Sequence, residues 1–195
     1  MIQYFVLIGA IVQLIGIYSY IKQTLRGNTK PNRVTWLMWS VAPLIATFAA
    51  LADKVTWAAL PVFMAGFAPL LVFFASFINK NSYWKLGNFD YVCGALSLLA
   101  LIFWAITKEP AIAIFFAIAS DGIAAIPTII KSWKYPETES VSAYATGLFN
   151  ALTSFTATKT FGFSEIAFPI YLVLVNSSLT FSIYRLKFSK NNKKL

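Results

Sequence analysis

PAIAIFFAIASDGIAAIPTIIK, residues 110–131, stays apolar for a full membrane thickness, yet beyond its opening Pro110 it holds one carboxylate, Asp121, and one interior proline, Pro127. Hydrocarbon about 30 Å thick needs roughly 20 residues of helix, and residues 110–130 meet that length. Six further runs do the same, at 2–21, 35–52, 55–78, 89–106, 141–158 and 166–184. Between them lie only short polar connections such as TLRGNTKPNR, NKNSYWKLGN and SWKYPETES. The expected fold is an all-α integral membrane protein with seven transmembrane helices. Composition agrees: of 195 residues 58% are apolar and 12% charged, with a mean hydropathy of +0.69, beyond what a water-soluble domain of this size tolerates.

The chain has one cysteine, Cys93, and no histidine. That removes disulfide frameworks, Cys/His zinc sites, axial-histidine haem and histidine-based catalytic dyads. No catalytic residue, cofactor or metal is expected, because a lone aspartate among scattered Asn, Thr and Tyr is too thin for acid–base or metal chemistry. A retinal protein needs a Schiff-base lysine in its last helix, and 166–184 contains none. The first run lacks a basic flank and a small-residue cleavage site, so it reads as a retained helix. Basic residues set the orientation. Thirteen fall on one side, at positions 22, 26, 30, 33, 80, 85, 131, 134, 185, 187, 190, 193 and 194; Lys54, Lys108 and Lys159 fall on the other. The N-terminus is expected outside and the C-terminus inside. The net charge of +9 is thus mainly a topology signal, and no nucleic-acid partner is expected.

Two pairs of segments repeat. Tyr20-Ile-Lys22 matches Ile129-Ile-Lys131 at an offset of 109, and Leu60-Pro-Val-Phe63 matches Phe168-Pro-Ile-Tyr171 at 108. The helices group as 3+1+3: a first triple-helix unit at 1–79, a linker with the fourth helix at 80–109, and a second unit with a basic tail at 110–195. The odd linker helix makes the units parallel, related by an axis along the membrane normal.

This plan resembles the SWEET and PQ-loop transporter clan. Ile126-Pro127-Thr128 stands where that clan has Pro-Gln, and Lys131 with Glu137-Thr-Glu-Ser140 is similar to its lysine and following polar turn. The chain departs from the pattern in having no Pro-Gln dipeptide and in placing Tyr18 where the first unit's proline would fall. Trp36-Leu-Met-Trp39 fits the Trp-x-x-Trp feature of the bacterial nicotinamide riboside carriers in the same clan. The resemblance implies a carrier for a small polar, sugar-like solute, working by alternating access between the units. It also implies an asparagine on the last helix that bonds the solute, matched here by Asn176. The repeat mate of Asn176 is Ala68, where a sugar carrier would have a second asparagine.

An ionised carboxylate inside a membrane helix costs about 2.5–3.5 kcal/mol on insertion scales, so Asp121 must face the bundle interior or a cavity. It is either a proton or cation site or a structural aspartate satisfied by Ser120 or a neighbouring helix. Its counterpart in the first unit falls at Val12–Gln13, leaving Gln13 as the polar candidate. Pro127 frees the Ile123 carbonyl and acts as a hinge or as an ordinary membrane-helix proline; Pro61 and Pro169 form a matched pair raising the same question. Asn176, Ser177 and Asn150 either contact the solute or bond neighbouring helices. Trp36 and Tyr144 read as interfacial belt, as do Trp57, Trp84, Trp104 and Trp133; Trp39, one turn deeper than Trp36, could stack on a planar solute. Asn32, Arg33, Glu137 and Glu139 are loop residues at the cytoplasmic mouth, forming either a gate across the units or a solvated turn. The expected partners are a small-molecule solute and the lipid bilayer, with a homo-oligomer compatible with both, and the expected location is a bacterial cytoplasmic (inner) membrane. Two alternatives stand beside the sugar-like carrier: a vitamin-precursor carrier of the nicotinamide riboside type, and a non-transporting receptor or chaperone of the same fold.

Overall fold

A computed structural model describes residues 4–107 and 109–191, with the side chains of 100, 101, 104, 105, 107, 110 and 186–191 left aside. Lys108, Lys193 and Lys194, and the side chains of Trp104, Lys187 and Lys190, therefore lie outside what is described. Within these residues the chain is all-α. Seven helices follow one another: α1 Phe5–Leu25, α2 Arg33–Ala52, α3 Ala59–Ala75, α4 Asn88–Thr107, α5 Pro110–Lys134, α6 Val141–Thr153 and α7 Phe163–Asn191. Single 3-10 turns cover Pro136–Thr138 and Ser154–Thr156. Among the described residues four helices, α1, α2, α5 and α7, are long and apolar enough to cross a membrane, while α3 is a shorter apolar helix.

Local chemistry sets the helix ends. Gly27, at φ 83°, takes the left-handed turn that stops α1. Asn32 caps α2, its side-chain oxygen accepting from the Val34 and Thr35 amides at 3.1 and 3.3 Å. Ser140 caps α6 in the same way, and Pro110 opens α5, where its missing N–H costs nothing. Two ends differ from the expected runs. The fifth helix continues past residue 130 to Lys134, because Lys131 finds a buried partner and need not reach water. The sixth stops at Thr153, where Thr153 and Thr156 turn their hydroxyls back onto carbonyls three residues earlier and tighten the chain into a 3-10 turn.

Packing order is the same in the two halves. Helix α3 lies against both α1 and α2, and α7 lies against both α5 and α6. Across the halves α1 packs on α6 and α2 on α5, while α4 sits outside on α5 and the edge of α2. The cross-half contacts are close because small residues line them. On α2 and α5 these are Ala42, Ala46 and Ala49 with Ala113, Ala117 and Ala124. On α1 they are glycines: a Cβ at Gly16 would lie 1.9 Å from Thr146 Oγ1 and 2.6 Å from the Ser142 carbonyl. The bundle's outside carries large apolar side chains such as Ile15, Phe48, Phe74, Ile106 and Phe181, all more than half exposed. Apolar surface on this scale is unfavourable in water.

The α1–α6 contact is testable. Gly16→Val forces a side chain against backbone, so it is expected to lower stability by about 1–3 kcal/mol, read as a lower thermal midpoint in detergent. Tyr18→Ala, on the 68% exposed face of the same helix, should leave that midpoint near its starting value.

Candidate functional site

A cavity lies between helices α1–α3 and helices α5–α7, at mid-length of α1, α3, α5 and α7 and beside the first two turns of α2 and α6. Gln13 and Ile17 of α1, Trp36 and Trp39 of α2, Asp121 of α5, Tyr144 of α6 and Asn176 of α7 contribute to its wall. Its volume is about 40 Å³, room for a few waters and less than a sugar fills. Asp121 is 2% exposed. Its Oδ2 accepts from the Tyr171 hydroxyl, and its Oδ1 is buried with no hydrogen-bond partner among the described residues. Trp39 Nε1 donates to the Asp121 backbone carbonyl at 3.3 Å, tying α2 to α5 at the level of the carboxylate.

The aromatic wall is a mutually packed set. Trp39 stands at 77° to Trp36 and at 79° to Tyr144, with ring centroids 5.4 and 6.1 Å away. Trp36 and Tyr144 are 2% exposed, so neither belongs to an interfacial belt. The reason is the α1–α6 and α2–α5 packing, which turns the helix starts that carry them inward. Trp57 and Trp133 do stand exposed near helix ends, at 38% and 45%, whereas Trp84 is half-buried beneath the Lys131 ammonium, 5.0 Å from its ring.

Above the cavity, toward the Lys-rich end, the halves are joined by a buried polar cluster. Glu139 Oε2 accepts from Tyr20 at 2.6 Å and from Tyr144 at 2.8 Å, and Oε1 pairs with the Lys131 ammonium. Lys131 also donates to the Lys30 carbonyl. The Gln23 amide donates to the Ser140 hydroxyl at 2.8 Å, and the Lys30 amide to the Thr138 carbonyl at 2.9 Å. Below the cavity the closure is apolar, built from Val6, Ala50, Val55, Ala58, Ala59 and Ala157.

The sequence-predicted residues separate into those that meet at the cavity and those that do not. Gln13, Trp39, Asp121 and Asn176 meet there. Asn150 does not line the cavity; it bridges α6 to α1 and α3, donating to Gln13 Oε1 at 2.6 Å and to the Pro61 carbonyl at 3.0 Å. Ser177 lies in a separate, outward-facing hollow with Leu148 and Tyr184, because it follows Asn176 by 100° around the helix. Pro127 and Pro169 are buried within continuous helices, and Pro61 is buried in the first turn of α3.

Three of the four mouth residues are not in a solvated turn. Glu139 is buried as above. Asn32 is fully buried, and its amide donates to Asp90 Oδ1 at 2.5 Å. Arg33 donates to the hydroxyl and carbonyl of Ser76, with Phe77 and Tyr83 packed on its guanidinium. Only Glu137 is exposed. Tyr20 and Tyr171, which complete the two carboxylate sites, were not among the sequence candidates. Each looks like an ordinary tyrosine in an apolar run, and only its distant partner gives it a role.

No protein-family model, curated protein or solved structure matches this chain.

The Lys131–Glu139 pair, at 1% and 0% exposure, should behave as a buried ion pair. Glu139→Gln leaves the ammonium without its counter-charge and is expected to cost roughly 3–5 kcal/mol. Adding Lys131→Met should recover most of the loss, with thermal midpoints of the single and double variants as the measurement.

Proposed function

We propose that this protein is a membrane carrier that moves a small polar solute by alternating access through the cavity between two parallel triple-helix units, helices α1–α3 and α5–α7, with α4 as the connecting helix. The observation that carries this reading is the position of the cavity: lined by Gln13, Asp121 and Asn176 at mid-length of α1, α5 and α7, between two halves that share one packing order, and covered at both ends by contacts across the halves. A carrier needs its site at mid-depth with separable closures on either side. A receptor of the same fold would keep its polar groups at one mouth.

The cover at the Lys-rich end is polar and joins the halves through single side chains, chiefly Glu139, Tyr20 and Lys131. Breaking it needs no loss of the α2–α5 alanine contact, so rocking about that contact opens one mouth at a time. Pro127, one and a half turns beyond Asp121, weakens α5 between the cavity and this cover and serves as the hinge. Asp121 supplies the charge or proton site. In this reading the N-terminus lies outside, the Lys-rich end faces the cytoplasm, and the membrane is the bacterial inner one. The SWEET and PQ-loop resemblance rests on the sequence motifs. The placing of both Trp36 and Trp39 at the cavity favours, as a second reading within the same class, a planar vitamin precursor of the nicotinamide riboside type over a sugar.

Reconstitution tests the carrier reading. Proteoliposomes holding the full chain are expected to take up at least one member of a panel of sugars, nucleosides and small amines, faster with a pH gradient than without, and Asp121→Asn should abolish the response to the gradient. Absence of flux for every solute overturns the reading. Orientation is checked separately: in a Cys93→Ser background, a cysteine at Lys159 should label in intact cells and one at Asn81 only after permeabilisation, and the reverse pattern would invert the topology.

A further inference from the structure

We propose that the solute is a small organic monocation, held by the free Oδ1 of Asp121 against the rings of Trp36, Trp39 and Tyr144. The inference rests on the carrier reading and names its substrate class.

Charge balance is the first argument. Among the described residues Asp121 is the only charged one lining the cavity, and one of its oxygens, itself buried, has no partner among them. Tyr171 donates a neutral hydrogen bond to the other oxygen and brings no charge. The nearest cation along α5, Lys131, is ten residues on, roughly 15 Å at 1.5 Å per residue, and is taken by Glu139 and the Lys30 carbonyl. A buried carboxylate in hydrocarbon requires a positive partner or a proton. The cavity therefore has one place for a proton or a cation, and no cationic side chain among the described residues that line it.

The rest of the wall selects the kind of cation. A hard cation such as Ca²⁺ or Mg²⁺ takes six or more oxygen ligands, and this wall offers one carboxylate and two side-chain amides. A cation with an organic surface is suited instead, because it can face aromatic rings and a carboxylate together. Since Trp39 is nearly perpendicular to both Trp36 and Tyr144, the cluster presents ring faces in more than one direction. The amides argue against a polyol. Gln13 Oε1 is occupied by Asn150, and the Asn176 amide donates to the Leu172 carbonyl, with its side chain packed against Gly147. Few free donors and acceptors are left to replace the water that a sugar's hydroxyls would lose. At about 40 Å³ the cavity is smaller than such a cation, so binding requires the halves to part.

The experiment uses the purified full chain in detergent, titrated with tetramethylammonium, choline and N-methylpyridinium, with tryptophan fluorescence and calorimetry as readouts. Glucose and 3,3-dimethylbutan-1-ol, the neutral isostere of choline, are the controls. At least one of the three cations should bind saturably; choline should bind at least tenfold tighter than its isostere, and glucose should not bind. Asp121→Asn should weaken cation binding at least tenfold, and Trp39→Leu several-fold. Because Asp121→Asn could fail to fold, its thermal midpoint is measured alongside, and the isostere comparison on the unaltered protein stands without it. Binding of none of the three cations, an isostere that binds as tightly as choline, or a folded Asp121→Asn variant with unchanged affinity overturns the proposal. Proteoliposome uptake separates the two readings. Cation binding without uptake sinks the carrier and keeps the ligand class; glucose uptake without cation binding does the reverse.

Discussion

Glu139 accepts from a tyrosine of α1 and a tyrosine of α6 and pairs with a lysine of α5, so one carboxylate joins both halves at a depth where water does not reach it. Each of these groups would be costly alone in a dry interior, and together they satisfy one another. The arrangement depends on the loops as well: the Lys30 carbonyl accepts from Lys131 while the Lys30 amide donates to Thr138, which holds the α1–α2 and α5–α6 connections side by side. Those two connections in turn fix where α2 and α6 begin, and hence where Trp36 and Tyr144 point.

The same constraint, that polar atoms must find partners inside the bundle, explains the uneven character of the interior. Between α2 and α5 alanine faces alanine, and between α1 and α6 glycine faces threonine. These contacts are close; between α1 and α6 Thr146 returns its hydroxyl to the Ser142 carbonyl of its own helix, while between α2 and α5 Thr35 donates across to the Ala124 carbonyl and Thr128 to Thr35. Only at mid-depth do the helices separate enough to leave a cavity, and there a polar oxygen, Asp121 Oδ1, stays unpaired. A structure that pairs Glu139 threefold and leaves Asp121 half-paired treats two buried carboxylates differently. The first is a fastening between helices, and the second has a hydrogen bond to one oxygen alone among the described residues.

Much of the architecture could be read from residues. Length and hydropathy mark each run, because a helix in hydrocarbon must be long and apolar whatever surrounds it. Pro110, Gly27, Asn32 and Ser140 mark the ends, because capping and left-handed turns are settled within a few residues. Asp121 stood out for the same local reason, as a charge in an apolar run. The site was only half legible. Gln13, Trp39 and Asn176 reach the cavity, but Ser177 turns away by a single helical step and Asn150 is occupied by Gln13. Trp36 and Tyr144 have the composition of belt residues and lie in the core, since belt and core aromatics differ only in which neighbour covers them.

The sequence by itself determined the all-α plan, the number of helices and the presence of a carboxylate that cannot be left alone. Only the tertiary structure decided its partners. Tyr171 is 50 residues from Asp121, Tyr20 is 119 from Glu139, and Gln13 is 137 from Asn150. Contacts at such separations are set by which helix faces cross and how closely, and that depends on small residues on both helices at once. Hydropathy and spacing are properties of one segment, whereas a hydrogen bond between segments exists only when both have been placed.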